Sequence, residues 1–338
     1  MSSTQFRRMF AKVLGTSAIA ATLLVAACGS STTTASGPTP TVAATCNVSN
    51  ADLATGAGGS AVPTVTGLTG KLTISGSTAL KPLFDKANTE LSAVNSGLTI
   101  TVNGGGSGQG LTDAGSGASD IGMSDIFQVE KAGTVATLVD HQVAAVAFTM
   151  VVNSDISSKV RNLTTDQIKQ IYAGTITNWS QVGGPSENIT VIYRKAGSGT
   201  RANFDRYVLG DPKASDQPAG SGLADGTLDL LNQVGGTPGA IGYAATNYIT
   251  NPAAAASLYP LCIDGYSASP ANINSGKYKF WSYEHAYTAS ATPSANATAF
   301  LNYVTGSDFQ AKDLASLVFL KVGDLSAAAT ATHPTPTA

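Results

Sequence analysis

The chain has 338 residues, with 19 Lys and Arg against 21 Asp and Glu and a formal net charge of −2. A balance this close to neutral argues against nucleic acid as a partner. Only 12% of the residues are charged while 36 are glycine, a composition suited to polar sites made of backbone dipoles and hydroxyl groups more than of whole charges.

The N-terminus reads as an export signal. Phe6-Arg7-Arg8-Met9-Phe10 is positively charged, and Val13–Ala27 is apolar yet too short and too rich in Ala, Thr and Ser for a membrane span. Arg7-Arg8 leaves a twin-arginine export route open beside the general one. Val25-Ala26-Ala27-Cys28 resembles the lipobox of bacterial lipoproteins, which implies a signal peptide over 1–28 and a lipidated Cys28 anchoring the mature chain; the alternative is an ordinary cleaved signal with a chance Cys. Residues 29–67 are dominated by Ser, Thr, Ala, Gly and Pro, with Asp52 the one charged residue. Too little apolar surface can be buried there to offset chain entropy, so this stretch is expected to be a flexible tether and 326–338, of like composition, a disordered tail. With Cys28 assigned to lipid, Cys46 and Cys262 remain as an even pair in an oxidising compartment. They are expected to form a disulfide, the alternative being two free thiols.

Between tether and tail lie roughly 255 residues, enough for two lobes with separate cores. Strand Lys71–Ile74 runs through Gly76-Ser77-Thr78 into a helix over Thr78–Ser92, which gathers N–H and hydroxyl groups at a helix N-terminus. Strand Leu98–Val102 does the same through Gly104–Gly110, with Ser107 in the turn and a helix over Gly108–Ala114. A short strand then ends at Asp125. Val143–Val152 is an unbroken apolar run and reads as a buried strand; Thr165–Tyr172 is a helix, and Trp179 reads as packing. Strand Ile189–Tyr193 leads into Gly197-Ser198-Gly199-Thr200 and a helix over Ala202–Leu209, with Arg194 and Arg201 bracketing the turn as fork-shaped donors for two oxygens of one tetrahedral anion. One such turn is equally a surface turn in which Thr200 caps a helix. Three of them point to loops converging on one small, oxygen-rich ligand. Helix Gly226–Gln233, strand Ala240–Ala244 and helices Asn296–Thr305 and Asp308–Ser316 complete an α/β alternation.

In this order, LTISGSTALKPLFDKANTEL, GGGSGQGLTDAGSGASDIGMSD, IYAGTITNWSQVG, YRKAGSGTRANFDRYVL and GAIGYAATNYI resemble the phosphate-binding proteins of phosphate ABC transporters, the PstS type, over roughly Leu68–Leu325. The resemblance implies a two-lobe α/β fold of the type II periplasmic-binding-protein class with a ligand cleft between the lobes. Residues 68–146 and 258–325 would form lobe I and 147–257 lobe II, with Val143–Val152 crossing between them. It also implies a monomeric extracytoplasmic protein, without metal or other cofactor, that delivers inorganic phosphate to the permease and ATPase of an ABC importer.

Carried over motif by motif, the ligand residues are Ser77, Thr78, Ser107, Asp125, Arg194, Ser198, Gly199 and Thr200. Asp125 reads the ligand's proton: phosphate at neutral pH donates a hydrogen bond to a carboxylate, whereas sulfate has no proton to give and is repelled. Without the resemblance, Asp125 reads as a helix cap or surface acid, and Asp120 is a weaker candidate for the same role. One departure stands out, since some relatives carry an acidic residue that buttresses the loop arginine where this chain has Ala196; Arg201 is the candidate for compensating charge. The alternatives are a binding protein for sulfate or arsenate and a surface phosphatase. Against an enzyme, His141, His285 and His333 are scattered, and no nucleophile elbow, P-loop or metal-ligand spacing occurs.

Overall fold

The computed structural model describes Cys46, Val48, Leu53 and residues 59–131, 138–211, 221–250 and 257–336. The expected signal peptide and lipobox Cys28 lie outside the described residues, as does most of the expected tether.

Among the described residues ten strands form one mixed sheet in the order β2-β1-β3-β10-β4-β8-β6-β7, with β9 pairing β4 and β5. In the first half, β1 (Thr69–Gly76) runs parallel to β2 (Gly97–Asn103) and to β3 (Ile121–Ser124). β2 alternates exposed and buried residues as an edge strand must, while all four residues of β3 are buried. In the second half, β6 (Thr190–Arg194) is parallel to β7 (Gly222–Ala224) and β8 (Ala240–Ala245), and β5 (Asn162–Leu163) is parallel to β9 (Leu258–Ile263).

The apolar run singled out in the sequence is the strand common to both halves. β4 (Val139–Asn153) pairs with β10 (Trp281–Thr288) up to Ala147, then with β8 from Phe148 and β9 from Met150. From Val143 onward every residue of β4 is buried, because both faces of the sheet are covered there and the strand has no wet face.

Helices cover the sheet. They are α1 (Lys81–Val94), α2 (Ser107–Ser116), α3 (Thr165–Tyr172), α4 (Gly199–Phe204), α5 (Thr227–Gly236), α6 (Thr246–Ile249), α7 (Pro270–Asn274), α8 (Ala295–Thr305), α9 (Ser307–Ser316) and α10 (Ala327–Thr330). Two start positions differ by three residues from the sequence reading. α1 begins three residues after Thr78: Pro82 sits in its first turn, and Ser77 Oγ holds a separate turn by accepting from the N–H groups of Ala79 and Leu80. α4 begins at Gly199 because Ser198, not Thr200, is its N-cap, and the helix then widens into a π turn over Asp205–Leu209.

Both ends of the fold extend further than composition predicts. Gly59 N–H donates to the Lys312 carbonyl at 2.9 Å, and Ala61 N–H to Asp313 Oδ2 at 2.8 Å. Residues 59–67 are therefore docked rather than tethering. The attachment uses main-chain groups on a buried carboxylate, and composition carries no trace of that. Cys46 is joined to Cys262 by a disulfide with the Cα atoms 6.2 Å apart.

The tail, expected to be disordered, instead carries α10 and ends with His333 buried between Tyr207 and Trp281, ring centroids 3.8 and 3.9 Å away. A single ring among Ala, Thr and Pro supplies the anchor. Burial drives the pKa of His333 down to about 3, so it stays neutral there.

Candidate functional site

Ser77, Thr78, Ser107 and Asp125 follow the C-terminal ends of β1, β2 and β3, Arg194 ends β6, and Ser198, Gly199 and Thr200 follow it; the fold brings all eight together. Asp125 and Arg194 are 3% and 1% exposed, so their charges act on each other with little screening.

Asp125 is the acceptor at the centre. Its carboxylate receives Ser77 Oγ on Oδ1 and Thr200 Oγ1 on Oδ2, the latter at 3.0 Å. Its N–H donates to Ser107 Oγ at 2.9 Å, and its carbonyl accepts from Asn203 Nδ2 at 2.8 Å. Burial raises the carboxyl above its ordinary value, while Ser77, Thr200 and Arg194 pull it back toward the ionised form. Asp120, by contrast, accepts from Thr73 N–H at 2.8 Å on an exposed side of the first half and takes no part in the site.

Among the described residues no carboxylate is ion-paired with Arg194. Nη1 donates to Thr227 Oγ1 and Nη2 to Thr78 Oγ1, both at 3.2 Å, and the two threonine hydroxyls are 2.9 Å apart. Its N–H donates to Tyr243 Oη at 3.3 Å, and Tyr243 stacks on Phe204 of α4 at 4.2 Å. This aromatic pair fixes the end of β6 relative to the helix that follows. Burial lowers the guanidinium pKa from its ordinary value, and Tyr243 and Asp125 oppose that.

Arg201 does not point a second fork at an anion, contrary to the bracketing expected from the sequence. Its Nη1 donates to the Arg194 carbonyl at 3.1 Å, its Nε lies 3.5 Å from Asp205 and its guanidinium sits over the Tyr193 ring. It props the loop from behind.

Close approach decides two glycine positions. A Cβ on Gly199 would collide with Ser107 Oγ and lie 2.9 Å from Asp125 Cβ. Gly108 N–H donates to the Gly197 carbonyl at 2.9 Å, and a Cβ on Gly106, itself at φ +90°, would stand 2.9 Å from that same oxygen. These contacts join the loops of the two halves directly.

Thr227, Asn203 and Tyr248, whose Oη donates to the Thr78 carbonyl at 2.6 Å, were not found from the sequence. A signal existed for Thr227, since Asp225-Gly226-Thr227 after β7 is a fourth strand, turn and helix start. Asn203 lies on α4 itself, and only the tertiary fold aims it at Asp125. Among the described residues no group of three His, Cys, Asp or Glu side chains could hold a metal. The chemistry assembled is a ring of hydroxyls, helix-start N–H groups and one guanidinium around one carboxylate. It fits a tetrahedral anion that carries a proton.

A family model described as a PBP superfamily domain matches residues 31–308. The chain is 38% identical over 257 residues to the phosphate-binding protein PstS of Bacillus subtilis, covering 76% of this chain and 82% of that one. The chain belongs to the PstS family of phosphate-binding proteins. A solved structure from Clostridium perfringens, described as a phosphate ABC transporter substrate-binding protein with bound phosphate, superposes with a TM-score of 0.66 at 29% identity, over 75% of this chain and all of that one. An ABC-type phosphate transport receptor from Vibrio cholerae shares the fold, with a TM-score of 0.58 at 23% identity over 74% of this chain and 99% of that one. This PstS-type chain accordingly has the α/β fold of the periplasmic-binding-protein class, and the Bacillus subtilis and Clostridium perfringens relatives are described as phosphate-binding and ABC-transporter substrate-binding proteins.

One buried acid of the loop scaffold makes the stability of this PstS-type protein pH-dependent. Asp205 is 5% exposed with Oδ1 unpaired, and burial pushes its carboxyl up to about 7 against the pull of Arg201. A folded pKa above the unfolded one contributes stability in full below the ordinary carboxylate range, and that stability is lost as pH rises toward 7. The wild type should therefore melt lower at pH 8 than at pH 5, and Asp205→Asn should narrow the gap. An unchanged gap in calorimetric scans contradicts the assignment.

Proposed function

We propose that this protein captures inorganic phosphate outside the cytoplasm and hands it to the permease and ATPase of an ABC importer, while held to the membrane by a lipid on Cys28. The observation that carries the phosphate reading is the placement of Asp125, a buried acceptor surrounded by donors. Hydroxyls, helix-start N–H groups and Arg194 bind the ligand's oxygens, at about 1.5–3 kcal/mol for each hydrogen bond to a charged group. Asp125 takes the proton that phosphate retains at neutral pH.

Closure of the cleft between the two lobes excludes water from these bonds, with β4 passing between them and β9, expected in the first lobe, assigned here to the second because it pairs with β5 and with β4 from Met150. The four loops, two from each half, support this mode of capture. The protein works as a monomer in this scheme, since each site is completed within one chain. Arsenate also retains a proton, so Asp125 discriminates against sulfate far more than against arsenate.

The test is titration calorimetry on the phosphate-stripped protein. Phosphate should bind tightly, sulfate should fail to compete, and the radius of gyration should shrink on saturation. Equal binding of sulfate would move the assignment to a general oxyanion carrier.

The anchoring rests on the lipobox. No helix among the described residues is long and apolar enough to cross a membrane; in this reading attachment is through the N-terminal lipid on Cys28. Cys28→Ser should shift the protein from the detergent phase to the aqueous phase or leave its precursor unprocessed. A wild-type mature protein recovered wholly unacylated contradicts the anchor.

A further inference from the structure

We propose that Glu284 sets the selectivity of the site: as a neutral carboxylic acid it donates its proton to Asp125 and keeps that carboxylate an ionised acceptor. The proposal rests on the phosphate reading above and adds a residue to it. β10 pairs antiparallel to β3 with His285 opposite Ser124, so Glu284 is next in register to Asp125. A bulge between Glu284 and His285 shifts the pairing of β10 with β4 at that point. Glu284 is fully buried. Its Oε1 accepts from Ser282 Oγ at 3.2 Å, while its buried Oε2 has no hydrogen-bond partner among the described residues, and the β10–β3 register sets this carboxyl beside Asp125.

Two carboxyl groups in contact away from water do not both ionise, so the pair holds a proton. The surroundings decide which member keeps it. Asp125 has the Ser77 and Thr200 hydroxyls and the charge of Arg194 on its side. Among the described residues Glu284 has only Ser282 and no positive partner: Ala144 stands opposite on β4, Leu111 and Ala114 of α2 pack toward the same strand at Tyr287, and the neighbouring His285 is engaged with Asp140 at 2.8 Å. Burial and then Asp125 push the Glu284 carboxyl well above the ordinary range, which agrees with this division.

The consequence concerns sulfate. A protonated Asp125 could donate to an oxygen of sulfate, and the discrimination would disappear. The Glu284 proton prevents this by stabilising the anionic form of Asp125.

The experiment compares wild type, Glu284→Gln and Glu284→Leu, titrated with phosphate and with sulfate from pH 5.5 to 8.5, together with infrared spectra at neutral pH. Glutamine retains a donor toward Asp125 and should keep wild-type selectivity. Leucine removes it, so the phosphate-over-sulfate ratio should fall by about tenfold for each pKa unit that Asp125 rises, most strongly at the acidic end. The wild-type spectrum should contain a protonated-carboxyl band that Glu284→Gln removes. That spectroscopic reading needs no ligand and no leucine variant. It still locates the proton if the wild type binds no phosphate, a result that would overturn the functional reading alone. Absence of the band, wild-type selectivity in a folded leucine variant at every pH, or equal loss of selectivity in both variants overturns the role of Glu284.

Discussion

Replacing Arg194 with alanine should weaken phosphate binding by about a hundredfold or more. The side chain is 1% exposed and bonds both threonine hydroxyls that join the two halves. Its removal deletes the one guanidinium directed into the site and leaves Asp125 buried without a counter-charge. Breaking a buried charge pair in this way costs about 3–5 kcal/mol. Arg194→Lys should recover part of the loss, since it restores the charge but not the fork that reaches Thr78 and Thr227 together. Titration calorimetry with phosphate checks both variants. A loss below about threefold for alanine, a fraction of a single hydrogen bond, would mean that hydroxyls and helix starts bind the anion unaided.

Gly199→Ala should be nearly as damaging by a steric route. The added methyl collides with Ser107 Oγ and crowds Asp125 Cβ, all of which belong to the meeting of β6's loop with the other half. The halves cannot reach their present approach without moving α2 or the end of β3. Phosphate affinity should fall by about a hundredfold, on the scale of a displaced hydrogen-bond set, with little change in melting temperature because the clash arises where loops of the two halves meet. Gly197→Ala is the contrast. Its Cβ meets nothing within 4 Å and only the positive φ of +86° is strained, a cost of about 1–2 kcal/mol. Scattering profiles with saturating phosphate should show compaction for wild type and not for Gly199→Ala. Full compaction and wild-type affinity in that variant contradict the closed geometry.

Much of this site can be read from local sequence, for a physical reason. A helix start preceded by Gly and Ser creates donors wherever it occurs, so Ser77, Ser107 and Thr200 announce themselves without knowledge of the fold. The run Val143–Val152 is equally legible, since a strand whose sheet is covered on both faces is apolar at every position. What escapes is set by register and packing. Glu284 looks like any acid in an alternating strand until the β10–β3 register lays it beside Asp125. Arg201 has the composition of a ligand, yet Asp205 one helical turn on and the Arg194 carbonyl take its donors. His333 and the Ala61 N–H extend the fold beyond its apparent ends through single contacts that composition averages away.

The central claim is that Asp125 reads a proton on the ligand, and the most direct measurement is the affinity of phosphate-stripped wild type and Asp125→Asn for phosphate and sulfate under one buffer at neutral pH. Asparagine keeps the size and can still accept from phosphate, so phosphate affinity should fall only by the few kcal/mol of one charge-assisted hydrogen bond. Its amide can also turn a donor toward sulfate, so the gap between the two anions should narrow sharply. If the wild type discriminates and Asp125→Asn discriminates equally well, Asp125 does not read the proton and the account of selectivity is wrong.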